Sequence, residues 1–287
     1  MNMCLYLRNK ELLMRRTFVD ILKNNKIDIK REYTRLYDAF YKSEEPTKFS
    51  IAEMVDYDFD YVWFKDTCQS LDDFNEEYNI YFVEQPQDFT LDYLITFCEY
   101  IYNFIASIKT NGSSYSHGLA YDRIERHIWK LAEKLCLKFI TSENYFLLIE
   151  ESPQAQLVAE NVSDELSYKI LEYHHHSLKG NLDAKKSILL KIAEELEPQR
   201  KELSKLDSNL ETEIFFAFNK FNIRHNNCNP KDKAKYISQF DGLGNDEKEK
   251  LYNFVYSQCL IAFIKLENLD NNKKFDELKY KINNKIS

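Results

Sequence analysis

Glycine and proline are scarce in this 287-residue chain, five of each. Such scarcity argues against a turn-rich protein and for helices joined by few tight turns. The six cysteines are scattered, with no C-x-x-C pair. Close thiols are what a metal ribbon or a redox dithiol needs, so neither is supported. A chain this large, with 44% apolar residues, needs no disulfide staples. The thiols read as reduced and mostly buried, as in a cytoplasmic protein. The first sixteen residues lack an apolar h-region and turn charged at once, so they do not read as a signal peptide. Long hydrophobic runs are missing too. The most membrane-like stretch, residues 93–108, is shorter than the ~20 residues of a bilayer span and carries Glu99 at its middle. It reads as a buried core helix, and no membrane partner is expected. Net positive charge is also absent: the balance is −8, which argues against a general nucleic-acid or membrane-surface coat and leaves room only for a local basic patch. The Lys, Asn, Ile, Tyr and Phe bias looks like an AT-rich genome and carries no mechanism.

What is present is helical periodicity. Leu12, Leu13, Val19 and Leu22 mark a helix over residues 5–23, and residues 29–41 read as a second, rich in Tyr and Arg. Pro46 breaks the chain. Residues 50–81 are aromatic and acidic and read as short helices and loops. Thr90 is placed to cap the helix that follows, over 91–108. Glu99, surrounded there by apolar and aromatic residues, is expected to be buried with a partner, Arg123 or His127 if the next helix packs against it. Residues 111–118 are the most loop-like stretch and mark a boundary between an N-terminal helical region, 1–110, and a C-terminal bundle, 115–287. After the loop, Leu119, Ile124, Ile128, Leu131 and Leu135 define an amphipathic helix whose Arg123, His127, Lys130 and Lys134 read as a solvated face paired with Asp122, Glu125 and Glu133. Two β-like runs around residues 141–144 predict a hairpin over 137–149. The fold class is therefore mostly α, a helical bundle with one small inserted β-hairpin.

Further along, Pro153 opens a helix that runs to His174, His175 and His176, with Gly180 ending it. On a continuous helix three adjacent histidines diverge by about 100° per residue and cannot share an ion. No metal and no cofactor is expected. Ile188, Leu189, Ile192, Leu196, Leu203 and Leu206 are spaced almost as heptads, and Pro198 should kink or divide their helix. Leu210, Ile214, Phe215 and Phe218 line the next one. Leu251, Phe254, Val255, Gln258 and Ala262, with Leu260, Ile261 and Phe263, give the last a wide apolar face. The tail, 271–287, is rich in Lys and Asn and reads as one short helix that frays.

Between those last two helices lies Phe221-Asn222-Ile223-Arg224-His225-Asn226-Asn227, followed by Cys228 and Asn229. Arginine can hold a phosphate with paired donors, and histidine moves protons near neutral pH. Arg224 and His225 are the candidate catalytic pair, with Arg224, Asn226, Asn227 and Asn229 as candidate nucleic-acid contacts. General acid–base attack of a ribose hydroxyl on its phosphate is the chemistry such a pair could assist. The bland reading is a helix end whose open carbonyls take Arg224 and the asparagines.

Helices followed by an arginine, a polar residue and a spaced histidine resemble the HEPN superfamily. The helix–hairpin–helix order over 121–180, and the phrase Phe97-Cys98-Glu99-Tyr100-Ile101-Tyr102-Asn103-Phe104-Ile105, also look like AbiJ-type abortive-infection proteins. The resemblance implies a module of a bacterial phage-defence or stress system, a homodimer with facing motif copies, contact with RNA or nucleotide, and a metal-independent ribonuclease activity. Arg224 falls at the motif arginine and His225 at the polar residue after it. The motif histidine belongs near Asn229, Pro230 or Lys231, where this chain has none. A degenerate domain of this kind implies binding of RNA, nucleotide or a partner protein without cleavage. The alternative from the residues themselves is a non-catalytic helical interaction or scaffold protein, binding through the heptad-like helix or the aromatic-acidic segment.

Overall fold

The computed structural model describes residues 27–43, 45, 48–111, 118–142 and 145–284. The helix expected over 5–23, most of the 111–118 loop and the centre of the hairpin turn lie outside the described residues. The first of two compact units runs to Lys130 and the second starts at Leu131. The division falls inside a helix, not in the 111–118 loop where composition put the boundary. Among the described residues no helix is long and apolar enough to cross a membrane.

In the first unit, α1 (Ile29–Tyr41), α2 (Ile51–Tyr57), a 3-10 turn (Phe59–Tyr61) and α3 (Leu71–Glu77) precede α4 (Leu91–Asn111) and α5 (Gly118–Lys134). Their starts follow local chemistry. Asp28, Ser50 and Ser70 cap α1, α2 and α3 with their side chains, and Thr90 Oγ1 accepts from the Tyr93 N–H at 3.1 Å. Tyr33, Leu36 and Phe40 form the buried stripe of α1. Phe97 of α4 meets the rings of Tyr33, Phe40 and Phe82, and Phe104 meets those of Phe59, Phe64 and Phe74. Much of the aromatic-acidic segment thus turns inward. Offset and edge-on ring pairs of this kind add about 0.5–1.5 kcal/mol each beyond area burial. Glu99 is 8% exposed, as its apolar surroundings required. His127, however, pairs with Glu32 at 3.0 Å. The acids of α5 are not spent on its own basic stripe alone: Asp122 and Glu125 both take the Lys109 ammonium.

The second unit begins with the antiparallel hairpin β1 (Leu137–Ser142) and β2 (Tyr145–Glu150), in the register Leu137↔Glu150 to Ser142↔Tyr145. Pro153 then starts α6 (Pro153–Ala159), and α7 (Asp164–Glu172) follows. One continuous helix was expected here. Instead the chain breaks at residues 160–163, and Asp164 and Glu165 open a new first turn, where acidic side chains complement the helix N-terminus. The three histidines lie beyond α7, two of them leading into a 3-10 turn (His176–Leu178), so helical divergence does not govern them. Gly180 takes a φ of 74°, which a side chain would resist.

Pro198 does divide the heptad-like stretch, giving α8 (Leu182–Leu196) and α9 (Arg200–Leu206). Next come α10 (Ser208–Lys220), α11 (Ser238–Asp241) and α12 (Asn245–Asn283). The core joins Leu189, Ile192 and Leu196 of α8 to Ile214, Phe215 and Phe218 of α10 and to Val255, Cys259 and Ala262 of α12. Two residues assigned to the apolar face of α12 sit outside it: Phe254 is 53% exposed and Ile261 41%. The tail forms no separate short helix: α12 runs on to Asn283, with residues 271–284 all exposed, and residues 285–287 lie outside the described residues. Cys68, Cys98 and Cys259 are buried, Cys228 is half-buried and Cys136 exposed, and these five are unpaired.

Candidate functional site

The Arg224 corner forms where α10 ends. Asn222 adopts a left-handed φ of 58°, a conformation asparagine tolerates better than most residues. The Arg224 N–H then bonds the Phe218 carbonyl at 3.0 Å. Asn222 and Asn227 clasp one another: each side-chain oxygen accepts the other's backbone N–H at 3.0 Å. Asn227 is 2% exposed and its amide also donates to the Lys235 carbonyl at 2.7 Å. Its groups are consumed in holding the loop.

Arg224 is committed as well. Its Nη2 donates to the Ala193 carbonyl at 2.9 Å and pairs with Glu197. Ala193 belongs to the last turn of α8, where positive charge is favourable, and its carbonyl accepts the Glu197 N–H as well. The guanidinium also lies 5.3 Å from the Phe215 ring centre and 5.2 Å from that of Phe218. It closes the end of a helix remote in sequence, not of the helix it follows. Asn229 Oδ1 accepts from the Lys231 N–H. Asn226 is exposed and His225 half-buried, and neither side chain has a hydrogen-bond partner among the described residues. Burial, with Asp241 beside it, pushes the Cys228 thiol up, so the corner offers no ready thiolate. The structure therefore gathers all five predicted residues at one loop, but presents only His225 and Asn226 as unengaged groups.

A second constellation escaped the sequence reading. A cleft of about 450 Å³ opens in the second unit, lined by Tyr173, His174, Lys185, Glu249, Asn253 and Tyr256 among others. Lys185 is only 5% exposed. Its ammonium meets Glu249 Oε1 at 2.8 Å and Asn253 Oδ1 at 2.7 Å, and sits 5.0 Å from the Tyr173 ring centre. Tyr173 stacks on Tyr256, centroids 3.9 Å apart, and its hydroxyl donates to Asn253 Oδ1. The Lys185 ammonium and the Gly180 N–H hold the Glu249 carboxyl below its usual range.

His174 adds a defined tautomer. Tyr256 donates its one proton to the Ile170 carbonyl at 2.7 Å. The 3.2 Å contact between Tyr256 Oη and His174 Nε2 must then be donated by the imidazole, which leaves Nδ1 as an acceptor. Burial lowers the His174 pKa, so the ring is neutral near pH 7. The cleft's hydroxyls are occupied elsewhere: Ser257 donates to the Asn253 carbonyl and Ser152 caps α6. Among the described residues no hydroxyl is paired with His174 apart from Tyr256. His175, also on the cleft wall, meets Ser177 Oγ at 2.7 Å through the same Nδ1 that accepts the Ser177 N–H, a local contact at the start of the 3-10 turn that His175 caps. One signal could have flagged Lys185: it stands three and four residues before Ile188 and Leu189, a lysine in register with an apolar stripe. Glu249 and Asn253 stand one turn apart on α12, flanking Tyr252 and Tyr256. No family model, curated protein or solved structure matches the chain.

Proposed function

We propose that this chain is a helical interaction protein, without catalytic activity of its own, that works by docking a partner protein on its second unit. The observation that carries this reading is the end of α12. Residues 271–283 are helical and exposed throughout, yet they include Phe275, Leu278 and Ile282, each more than half exposed. Apolar side chains held on solvated helix gain nothing in the free molecule and gain burial on binding. The commitment of Arg224 to α8 supports the same reading, because the corner's one cation already has its partners.

A second reading keeps the HEPN resemblance: contact with RNA or nucleotide at the corner, in a defence or stress module of homodimeric form. The unengaged His225 imidazole and the exposed Asn226 favour it. One paired experiment separates the two. Purified protein and its Arg224→Ala and Asn226→Ala variants are incubated with single-stranded RNA, while immobilised protein, intact or lacking residues 271–287, is used to capture partners. The interaction reading expects intact RNA and a captured protein that is lost on truncation. Cleavage or tight binding of RNA that the corner substitutions abolish refutes it in favour of the second.

A further inference from the structure

We infer that the exposed end of α12 docks an amphipathic helix whose apolar stripe is bordered by Asp and Glu. This rests on the interaction reading and names the chemistry of the partner. A helix turns about 100° per residue, so Phe275, Leu278 and Ile282, at i, i+3 and i+7, share one face. This is the anchor spacing by which helices are recognised. Lys274 and Lys281 border that face on one side and Lys279 on the other, while Asp276 and Glu277 fall on the far side. Lys279 lies over the Phe275 ring, 4.5 Å from its centre, and reaches Asp276 at 3.1 Å. Lys274 and Lys281 have no ion-pair partner among the described residues. The stripe is apolar in the middle, and the charged residues that border it, Lys274, Lys279 and Lys281, are all basic.

Those edges select the occupant. A second copy of the helix, parallel or antiparallel, sets lysines against lysines. Residues 1–26 hold six Lys or Arg against two Asp or Glu, so that segment is repelled as well. An anionic lipid surface attracts the lysines. Among the described residues, however, the apolar stripe covers only two turns, with Asn271 and Asn268 at the positions before it, and the chain as a whole carries a net charge of −8 that opposes such a surface. A helix with acidic borders matches both the short anchor set and the charge.

The test uses two labelled synthetic peptides about four heptads long, both with Leu at a and d, one with Glu and the other with Lys at e and g. Each is titrated by fluorescence anisotropy into the full chain. The Glu peptide is expected to bind, about tenfold more weakly in high salt or with the Lys274→Glu, Lys279→Glu and Lys281→Glu variant. The Lys peptide should not bind the wild type. Phe275→Ser, Leu278→Ser and Ile282→Ser together should abolish binding, with far-UV CD checking that the bundle stays folded. Binding of neither peptide, or of both alike, overturns the inference. So does a dimer seen by sedimentation that the triple serine variant dissolves, or co-sedimentation with phosphatidylserine vesicles that depends on the same residues. A captured partner that needs the three apolar residues but not the three lysines leaves the interaction reading standing and removes this inference alone.

Discussion

Arg224→Ala separates a structural corner from a functional one by the size of its effect. The Ala193 carbonyl accepts both the Glu197 N–H, at 3.1 Å, and Arg224 Nη2, at 2.9 Å. Removing the guanidinium therefore leaves the helical bond intact and deletes the second, a loss of about 1 kcal/mol. Its placement near Phe215 and Phe218 is lost too, at about 0.5–1 kcal/mol. The ion pair adds little, because Glu197 is 47% exposed and such pairs are worth under about 1 kcal/mol. Together these predict a destabilisation of about 2 kcal/mol. Glu197→Ala should cost only about 0.5 kcal/mol. Urea unfolding followed by far-UV CD measures both. Trp63 and Trp129, the two tryptophans, lie in the first unit, so a CD shift without a matching shift in tryptophan emission assigns the loss to the second. An unchanged urea midpoint for Arg224→Ala, with weakened RNA or nucleotide binding, refutes the capping argument.

Two further substitutions test the rest of the second unit. Asn227→Ala strands the Lys235 carbonyl and the Asn222 N–H in a loop that is 2% exposed at its centre. It should cost about 2–3 kcal/mol, and hydrogen exchange of the Asn222 amide should rise even where global stability holds. Glu249→Gln tests the cleft. The carboxyl's folded pKa is depressed, so its contribution is complete above the ordinary value of 4.5 and drains away as pH falls below it. Thermal midpoints should fall between pH 6 and pH 3 in the wild type by more than in Glu249→Gln. Parallel pH curves for the two proteins contradict the coupling to Lys185.

What the sequence determined by itself was local. The stripes Tyr33–Leu36–Phe40 and Ile214–Phe215–Phe218, the cap at Thr90, the break at Pro198 and the hairpin around residues 143–144 depend on neighbours within a few positions, and period or propensity exposes them. The course of the polar side chains depended on partners far away. Arg224 is spent on a carbonyl 31 residues earlier, and Lys185 on groups 64 and 68 residues later. Periodicity carries no information about such pairings, which exist only after α8, α10 and α12 have packed. The end of α7 at Glu172 leaves the three histidines off the helix. The polar composition of residues 271–283 hid a helix that continues through them, because no glycine or proline stops it and its three anchors are diluted by lysine and asparagine. Sequence determined which segments coil and which faces are apolar. Only the packed bundle decided which charges are consumed in holding it together and which apolar face is left uncovered.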